Sequence, residues 1–497
     1  MEMERIQPKG NYIVGKFEEI LAPEGHIESR SPADLEDKIA DFPYSSKIVQ
    51  RTVEAASQAF SEWKLLPLHK RMGFFDSLYN QLRKGAYSLA QIISRETGKP
   101  YWESKTEVKA MSDKIKITRD QSMPLIATKP SEEATERYSF KPRGVLAVLG
   151  PFNMPGHLPW GHIIPALMTG NTVIFKPSEL TPAVGQKLAE IIHEAGFPPG
   201  VFNLIQGPKE VGSSLIAHPA LNGILFTGSY QTGQRIKEAI RQHVGKILAL
   251  EMGGKNAAIV LDDAHIDKAL YEVLIGASIT TGQRCSSTSR LIIDKRIADE
   301  FLTRLIELAK RMVIGYPFDD GVFMGPLISG SAREKFCDFQ KKAFQEGAEI
   351  LLEGGVLEQD RKGYYVSPSI HLVKNLNPEN IYQNEEIFGP DLAVYLVDNL
   401  REAIDIQNQS SYGLALSLFS RSQEAFEKVL QECCVGVIHW NKATTGASSR
   451  LPFGGQKKSG NDHPSALFAP FYCTYPVAIK IDHSPLNSET LPPGIRR

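Results

Sequence analysis

In the stretch "TTGQRCSSTS", residues 280–289, Cys285 stands among Gly, Thr, Gln, Ser and Arg rather than among Leu and Val. A thiol in that company can be a small buried filler, a metal ligand or a nucleophile. A filler calls for apolar neighbours, which are absent here. A metal ligand calls for partners at fixed spacing, and the five cysteines in 497 residues form no CxxC, HExxH or spaced Cys/His set. No metal site is expected. The small polar residues on a loop between helix and strand suit an exposed, reactive thiolate, which adds readily to a carbonyl carbon and leaves as readily.

Such a nucleophile needs a base near it. Glu251 lies 34 residues upstream (285 − 251), at a strand end between "ILAL" and "MGG". Alone, a Glu at a strand end is usually a solvated charge. The apolar flank predicts instead a partly buried carboxylate whose pKa rises towards that of a general base. Asn153, between the prolines of "PFNMPGH", reads on its own as a turn residue. Lys176 and Glu179 in "FKPSE" read on their own as a surface ion pair, and "GSYQTG" (228–233) as a turn opening a helix. "LEMGGKN" lacks the GxxxxGK[ST] spacing, so a P-loop is excluded.

The elements that must hold these residues follow from periodicity. In "IVQRTVEAASQAFSEW", Val49, Val53, Ala56, Phe60 and Trp63 fall on one helical stripe, and helical patterning continues to about residue 120. From residue 144 the pattern changes to short, apolar, β-branched runs: "GVLAVLG", "NTVIFK", "VFNLIQG", "GILFTGS" and "KILALEM". Each is separated from the next by a helix-sized segment. In one of these, Thr181 is expected to cap the helix, with Pro182 in its first turn and Gly196 at its stop. Strands alternating with helices give a parallel sheet buried on both faces, with ligands at the carboxyl ends of the strands. Residues 144–250 thus read as a nucleotide-binding unit. After Glu251 the alternation restarts, with a helix near 266–280, "SRLIIDK" as a strand and a helix at 297–312. Segments 124–143 and 470–482 read as edge ribbons.

Bulk properties exclude several classes. The chain is too long for one ordinary core, and its net charge of −1 recommends neither nucleic acid nor a membrane surface. The first residues, "MEMERIQPKG", lack the apolar region of a secretory signal, and no apolar run approaches the roughly 18 residues of a membrane span. Five unpatterned cysteines suggest a reducing cytoplasm.

Taken in order, "PFNMPGH" (151–157), "FKPSE" (175–179), "FTGSYQTG" (226–233), "LEMGGKN" (250–256), "GQRCSS" (282–287) and "EEIFGP" (385–390) resemble the aldehyde dehydrogenase superfamily, over about residues 10–480. The resemblance implies an α/β fold of two domains with parallel sheets. A Rossmann-like NAD-binding domain would comprise 1–123 and 144–252, and a catalytic domain 253–450. Segments 124–143 and 470–497 would make a homodimer or homotetramer. It gives Cys285 the role of nucleophile, Glu251 that of activating water, and Asn153 that of holding the oxyanion together with the Cys285 backbone N–H. For NAD, it places Lys176 and Glu179 on the adenosine ribose. Gly228, Ser229, Tyr230, Gln231, Thr232 and Gly233 would face the pyrophosphate. Glu386 would take the nicotinamide ribose and Phe388 the space beside that ring. A carboxylate at the adenosine ribose repels a 2′-phosphate, so NAD is expected over NADP.

Within the superfamily, "HWNKATTGASSRLPFGG" and "SGNDHPSALFAPFYC" are similar to the N-succinylglutamate 5-semialdehyde dehydrogenases of bacterial arginine catabolism, although Lys255 stands where that group often has Asn. That substrate carries two carboxylates and needs cations around it, and Arg284 is the candidate beside the nucleophile. The competing readings are another semialdehyde or aliphatic aldehyde as substrate, a coenzyme A-acylating relative, and a non-catalytic protein of this fold. Glu251 argues against the acylating reading, because such relatives typically lack it. Cys285, Glu251 and Asn153 together argue against the non-catalytic one.

Overall fold

A computed structural model describes residues 6–128, 135–461, 465–485 and 494. Parts of the 124–143 segment, the "SGNDHPS" stretch and the 470–497 tail therefore lie outside the described residues. The chain forms two seven-stranded sheets and several two-stranded ribbons. In the first sheet the strands run in the order Ile247–Met252, Gly223–Gly228, Val145–Leu149, Thr172–Lys176, Phe202–Leu204, Asn11–Ile13 and Lys16–Glu18. The first five are the apolar runs of the sequence and pair in parallel. The last two add antiparallel at the edge. In the second sheet, six parallel strands run from Val437–Trp440 through Ala415–Phe419, Asn256–Val260, Thr288–Asp294 and Asp391–Val397 to Ser369–Leu372, and Glu349–Leu352 joins antiparallel.

The residues explain the layers. Val145–Leu149 and Thr172–Lys176 are buried at every position, because helices cover both faces of the sheet. Helix Ile48–Trp63 turns Val49, Val53, Ala56 and Trp63 inward, with Phe60 half-buried, and the Thr172 hydroxyl donates to the Ala56 carbonyl at 3.0 Å. The helix Pro182–Glu194 begins where expected, with Gly196 in the left-handed region at φ 77°. Its cap is not the expected one. The Thr181 side chain makes no capping bond, and the Glu96 carboxylate instead accepts from Ala183 and Val184 N–H at 3.0 and 2.8 Å. A carboxylate suits a helix N-terminus better than a hydroxyl does.

The N-terminal strand pairs Asn11–Ile13 with Lys16–Glu18 and Gly25–Arg30 with Lys38–Tyr44 have no counterpart in the sequence reading. Strands Glu136–Pro142 and Thr474–Lys480 pair antiparallel as a ribbon, leaving Tyr138 and Tyr475 exposed. No helix among the described residues is long and apolar enough to cross a membrane.

Candidate active site

The chain reaches Cys285 through a forced turn. Thr280 and Thr281 adopt φ of 55° and 56°, a left-handed conformation that costs a β-branched residue energy, and Gly282 follows at 68°. Gly282 has no alternative, since a Cβ there would lie 2.3 Å from the Gly389 carbonyl oxygen. Beyond the turn, the Asn256 amide donates to the carbonyls of Cys285 and Ser287 at 2.7 and 2.9 Å, and the Thr444 hydroxyl donates to that of Ser286 at 2.6 Å. Thr280, Thr281 and Gly282 thus turn the chain, and Asn256 and Thr444 pin the loop beyond them. The exposed thiolate expected from the small polar residues is not what the structure holds. Cys285 is only half-buried, yet it lies deep enough that desolvation pushes its pKa well above the usual thiol range. The nearby Glu251 and Glu386 charges push the same way, and Arg284 opposes them.

Glu251 lies on the edge strand Ile247–Met252 and is 1% exposed. Burial raises its pKa to about 8; the Cys285 thiol favours its charged form and Glu386 disfavours it. Neither carboxylate oxygen meets a hydrogen-bond donor in good geometry among the described residues. A carboxyl whose pKa lies this close to neutral pH is suited to taking and giving protons.

Asn153 is buried, and its amide donates to the Gln283 carbonyl at 2.9 Å. That bond orients the amide and leaves one of its two protons available. The Cys285 N–H makes no hydrogen bond to any described residue. Beneath the Asn153 loop, the Lys99 ammonium donates to the Asn153 carbonyl at 2.5 Å and to Glu107 at 2.6 Å. Glu107 in turn accepts from Gly156 and His157 N–H at 2.9 and 3.0 Å. This buried pair fixes the loop that presents Asn153, and nothing in the sequence reading singled it out.

Two spaces meet at the thiol. A cleft of about 550 Å³ at the carboxyl ends of the first sheet is lined by Lys176, Glu179, Ser229, Glu386 and Phe388, and by Asn153, Glu251 and Cys285 at its floor. A smaller cavity of about 220 Å³ reaches Asn153 and Cys285 from another side, past Lys114, Arg284, Ser448 and Ser449. Gly228 and Thr232 also line the large cleft, whereas Tyr230, Gln231 and Gly233 do not. Gly233 packs inward, where a Cβ would meet the Met252 sulfur at 2.4 Å, and Tyr230 lies beneath the Lys458 ammonium.

The donor set in the cleft fits a dinucleotide. Lys176, 7% exposed, donates to the Pro177 and Gly207 carbonyls at 2.8 and 2.7 Å, which leaves a third N–H. Glu179 stands half-exposed within 3.8 Å of it, an acceptor for sugar hydroxyls. Ser229 caps the ten-residue helix Tyr230–Ala239 by accepting from Thr232 N–H, so the positive helix end opens on the cleft. Glu386 accepts from Gly254 N–H at 2.9 Å, and burial raises its pKa to about 7. Phe388, at φ 61°, meets Phe152 edge-on at 5.8 Å. The glycines after Glu251 make room for these groups: a Cβ on Gly253 would lie 2.0 Å from Glu386 Oε2, and one on Gly254 2.7 Å from the Cys285 carbonyl oxygen.

Arg284 is not a free cation. Its Nη2 donates to Glu103 at 2.8 Å and its Nε to the Thr280 hydroxyl at 2.7 Å. Burial would raise the Glu103 pKa, but the Arg284 and Lys99 charges outweigh it and hold the carboxylate below its ordinary range. The guanidinium lines the smaller cavity while its charge is already matched inside the protein.

The family model for the aldehyde dehydrogenase family matches residues 21–471. An N-succinylglutamate 5-semialdehyde dehydrogenase from Enterobacter sp. (strain 638) is 40% identical over 91% of this chain and 92% of its own length. An enzyme of the same name from Novosphingobium aromaticivorans is 40% identical over 86% and 91%. Among solved structures, a 1-pyrroline-5-carboxylate dehydrogenase from Thermus with bound NAD superposes with a TM-score of 0.88 at 31% identity, covering 95% of this chain and 92% of that one.

Proposed function

The chain belongs to the aldehyde dehydrogenase family and oxidises an aldehyde, and from that premise we propose that it converts N-succinyl-L-glutamate 5-semialdehyde to N-succinyl-L-glutamate with NAD. The observation that carries the reading is the meeting of two separate spaces at one thiol, with a raised-pKa carboxyl and two oxyanion donors at the junction. The large cleft suits the cofactor and the small cavity the aldehyde.

In this reading Lys176 and Glu179 hold the adenosine ribose, the Ser229-capped helix end the pyrophosphate, and Glu386 the nicotinamide ribose beside Phe388. Bound NAD⁺ supplies the acceptor for a hydride from the carbon joined to Cys285. Cys285 begins as a thiol, and Glu251 takes its proton as sulfur adds to the aldehyde carbon. The oxygen, now an alkoxide in a thiohemiacetal, is held by the second Asn153 amide proton and the Cys285 N–H, donors fixed before charge develops. Loss of hydride leaves a thioester on Cys285. Glu251, having released the first proton to solvent, then takes a proton from water, which attacks the thioester carbonyl. The same two donors hold the oxygen, the C–S bond breaks, the acid departs, and Glu251 returns its proton to the Cys285 sulfur.

A carboxylate at the adenosine ribose favours NAD over a 2′-phosphorylated cofactor. Glu251 favours water over coenzyme A as acceptor. Self-association through the ribbon Glu136–Pro142 and Thr474–Lys480, with its exposed tyrosines, and a cytoplasmic location belong to the same reading. The test is NADH formation across a panel of semialdehydes and neutral aldehydes, with NADP⁺ and coenzyme A as variations. A preference for the succinylated substrate by orders of magnitude is expected. A flat profile would sink the substrate assignment, and a Cys285→Ser enzyme with full turnover would sink the mechanism.

A further inference from the structure

The helix Tyr101–Ile117 carries Glu103, Glu107 and Lys114, all at most 2% exposed. Two of these charges have partners: Glu103 pairs with Arg284 and Glu107 with Lys99, at 2.8 and 2.6 Å. Lys114 has none. It makes no hydrogen bond or ion pair with any described residue, and burial with no carboxylate to oppose it lowers its pKa to about 8. Among the described residues, the histidines on which its charge acts are His157 and His162, both held neutral by burial and by that charge, with pKa values pushed down to about 3. It lines the small cavity that opens on Cys285. Gly161 marks the place of its ammonium: a Cβ there would lie 4.0 Å from Lys114 Nζ and 3.4 Å from the Ser465 hydroxyl.

A buried ammonium without a counter-charge is costly, and an apolar residue of similar length would fill the same space without that cost. The cost is recovered when a ligand supplies the anion. Around the cavity, Arg284 is matched by Glu103 and Glu107 by Lys99, so among the described residues the unmatched positive charge is that of Lys114.

We propose that the Lys114 ammonium, in the cavity that Ser465 also lines, binds a carboxylate that the substrate carries beyond its aldehyde, and so selects acidic semialdehydes over neutral ones. This rests on the function proposed above and names the residue that recognises the substrate's charge. The role that the sequence suggested for Arg284 passes to a lysine 170 residues upstream (284 − 114).

The test uses the full-length enzyme with NAD⁺ and compares wild type, Lys114→Met and Lys114→Arg on N-succinylglutamate semialdehyde and on pentanal. For Lys114→Met, the kcat/KM ratio of succinylated to neutral aldehyde should fall between about 10- and 100-fold, as for one charged hydrogen bond lost, with the change in KM. Lys114→Arg should recover part of it. Without substrate, Lys114→Met should melt no lower than wild type, since an unpaired buried charge has gone. N-succinylglutamate should raise the melting temperature of wild type more than that of Lys114→Met. A Lys114→Met ratio within about twofold of wild type, or a variant that melts far lower and loses both activities alike, would overturn the role of Lys114. A wild type with no preference for the acidic aldehyde would overturn the substrate reading instead.

Discussion

Replacing Arg284 by Met separates two roles that the sequence cannot tell apart. If the guanidinium faced substrate, the change would appear in KM for an acidic aldehyde. The structure places it on Glu103, 2.8 Å away, with side-chain exposures of 13% and 2%. Removing it leaves a buried carboxylate with only Lys99 and Thr280 in support. Breaking such a pair costs about 3–5 kcal/mol, and the residual Lys99 charge argues for the lower end. At about 2–4 °C per kcal/mol for a domain of this size, the melting temperature should fall by roughly 6–12 °C. The pH dependence carries a sign. Glu103 has its folded pKa depressed, so the pair's stability is present above the unfolded carboxyl value and lost as pH falls through the folded one. The gap between wild type and Arg284→Met should therefore be widest at neutral pH and close below about pH 4. Thermal melts of wild type, Arg284→Met, Glu103→Gln and the double variant across pH measure this, and the double variant should lose less than the sum. A variant that melts within about 2 °C of wild type, yet shows a large rise in KM confined to acidic aldehydes, would refute the reasoning.

Glu251 predicts the opposite slope. Its folded pKa is raised to about 8, so between the unfolded value and 8 the folded protein holds a proton that the unfolded chain has lost, and stability falls as pH rises. Glu251→Gln removes that slope while lowering steady NADH formation by at least about 100-fold; melting curves of the two proteins that stay parallel from pH 5 to 9 would count against the raised pKa. Gly253→Ala places a methyl 2.0 Å from Glu386 Oε2 and must displace that carboxylate. The KM for NAD⁺ should rise on the order of 10-fold, and an unchanged value would remove Glu386 from the cofactor site.

What the sequence made legible was whatever repeats with a period. The buried parallel strands read as unbroken apolar runs, and the helix Ile48–Trp63 as one stripe. The strand pair Asn11–Ile13 and Lys16–Glu18 did not read, because three-residue strands hold too little period, and their turn uses Val14 at φ 52° before Gly15. The Thr181 cap failed because the better acceptor, Glu96, lies 85 residues upstream (181 − 96) and no local window contains it. Around Cys285 the residue types were read correctly and their purpose was not. Thr280, Thr281 and Gly282 bend the chain, and Asn256 and Thr444 pin it, while burial pushes the thiol pKa up.

The deepest gap concerns charge. Glu103 and Glu107 at i and i+4, with Lys114 two turns on, look from sequence like a solvated helix face. That inference holds only while the charges have no partners elsewhere, and three-dimensional structure supplies partners from afar: Arg284 is 181 residues away along the chain. Once those pairs are drawn, the helix is seen to keep Lys105, Lys109, Asp113 and Lys116 in solvent and to turn Glu103, Glu107 and Lys114 inward against the catalytic loops, holding Asn153 through Lys99 and Glu107 and the Cys285 loop through Glu103 and Arg284. Paired charges of this kind position; they have no net charge left with which to choose a ligand. Lys114 differs from its neighbours in that one respect. The residue that selects the substrate is therefore to be sought where the pairing stops rather than where cations are most visible.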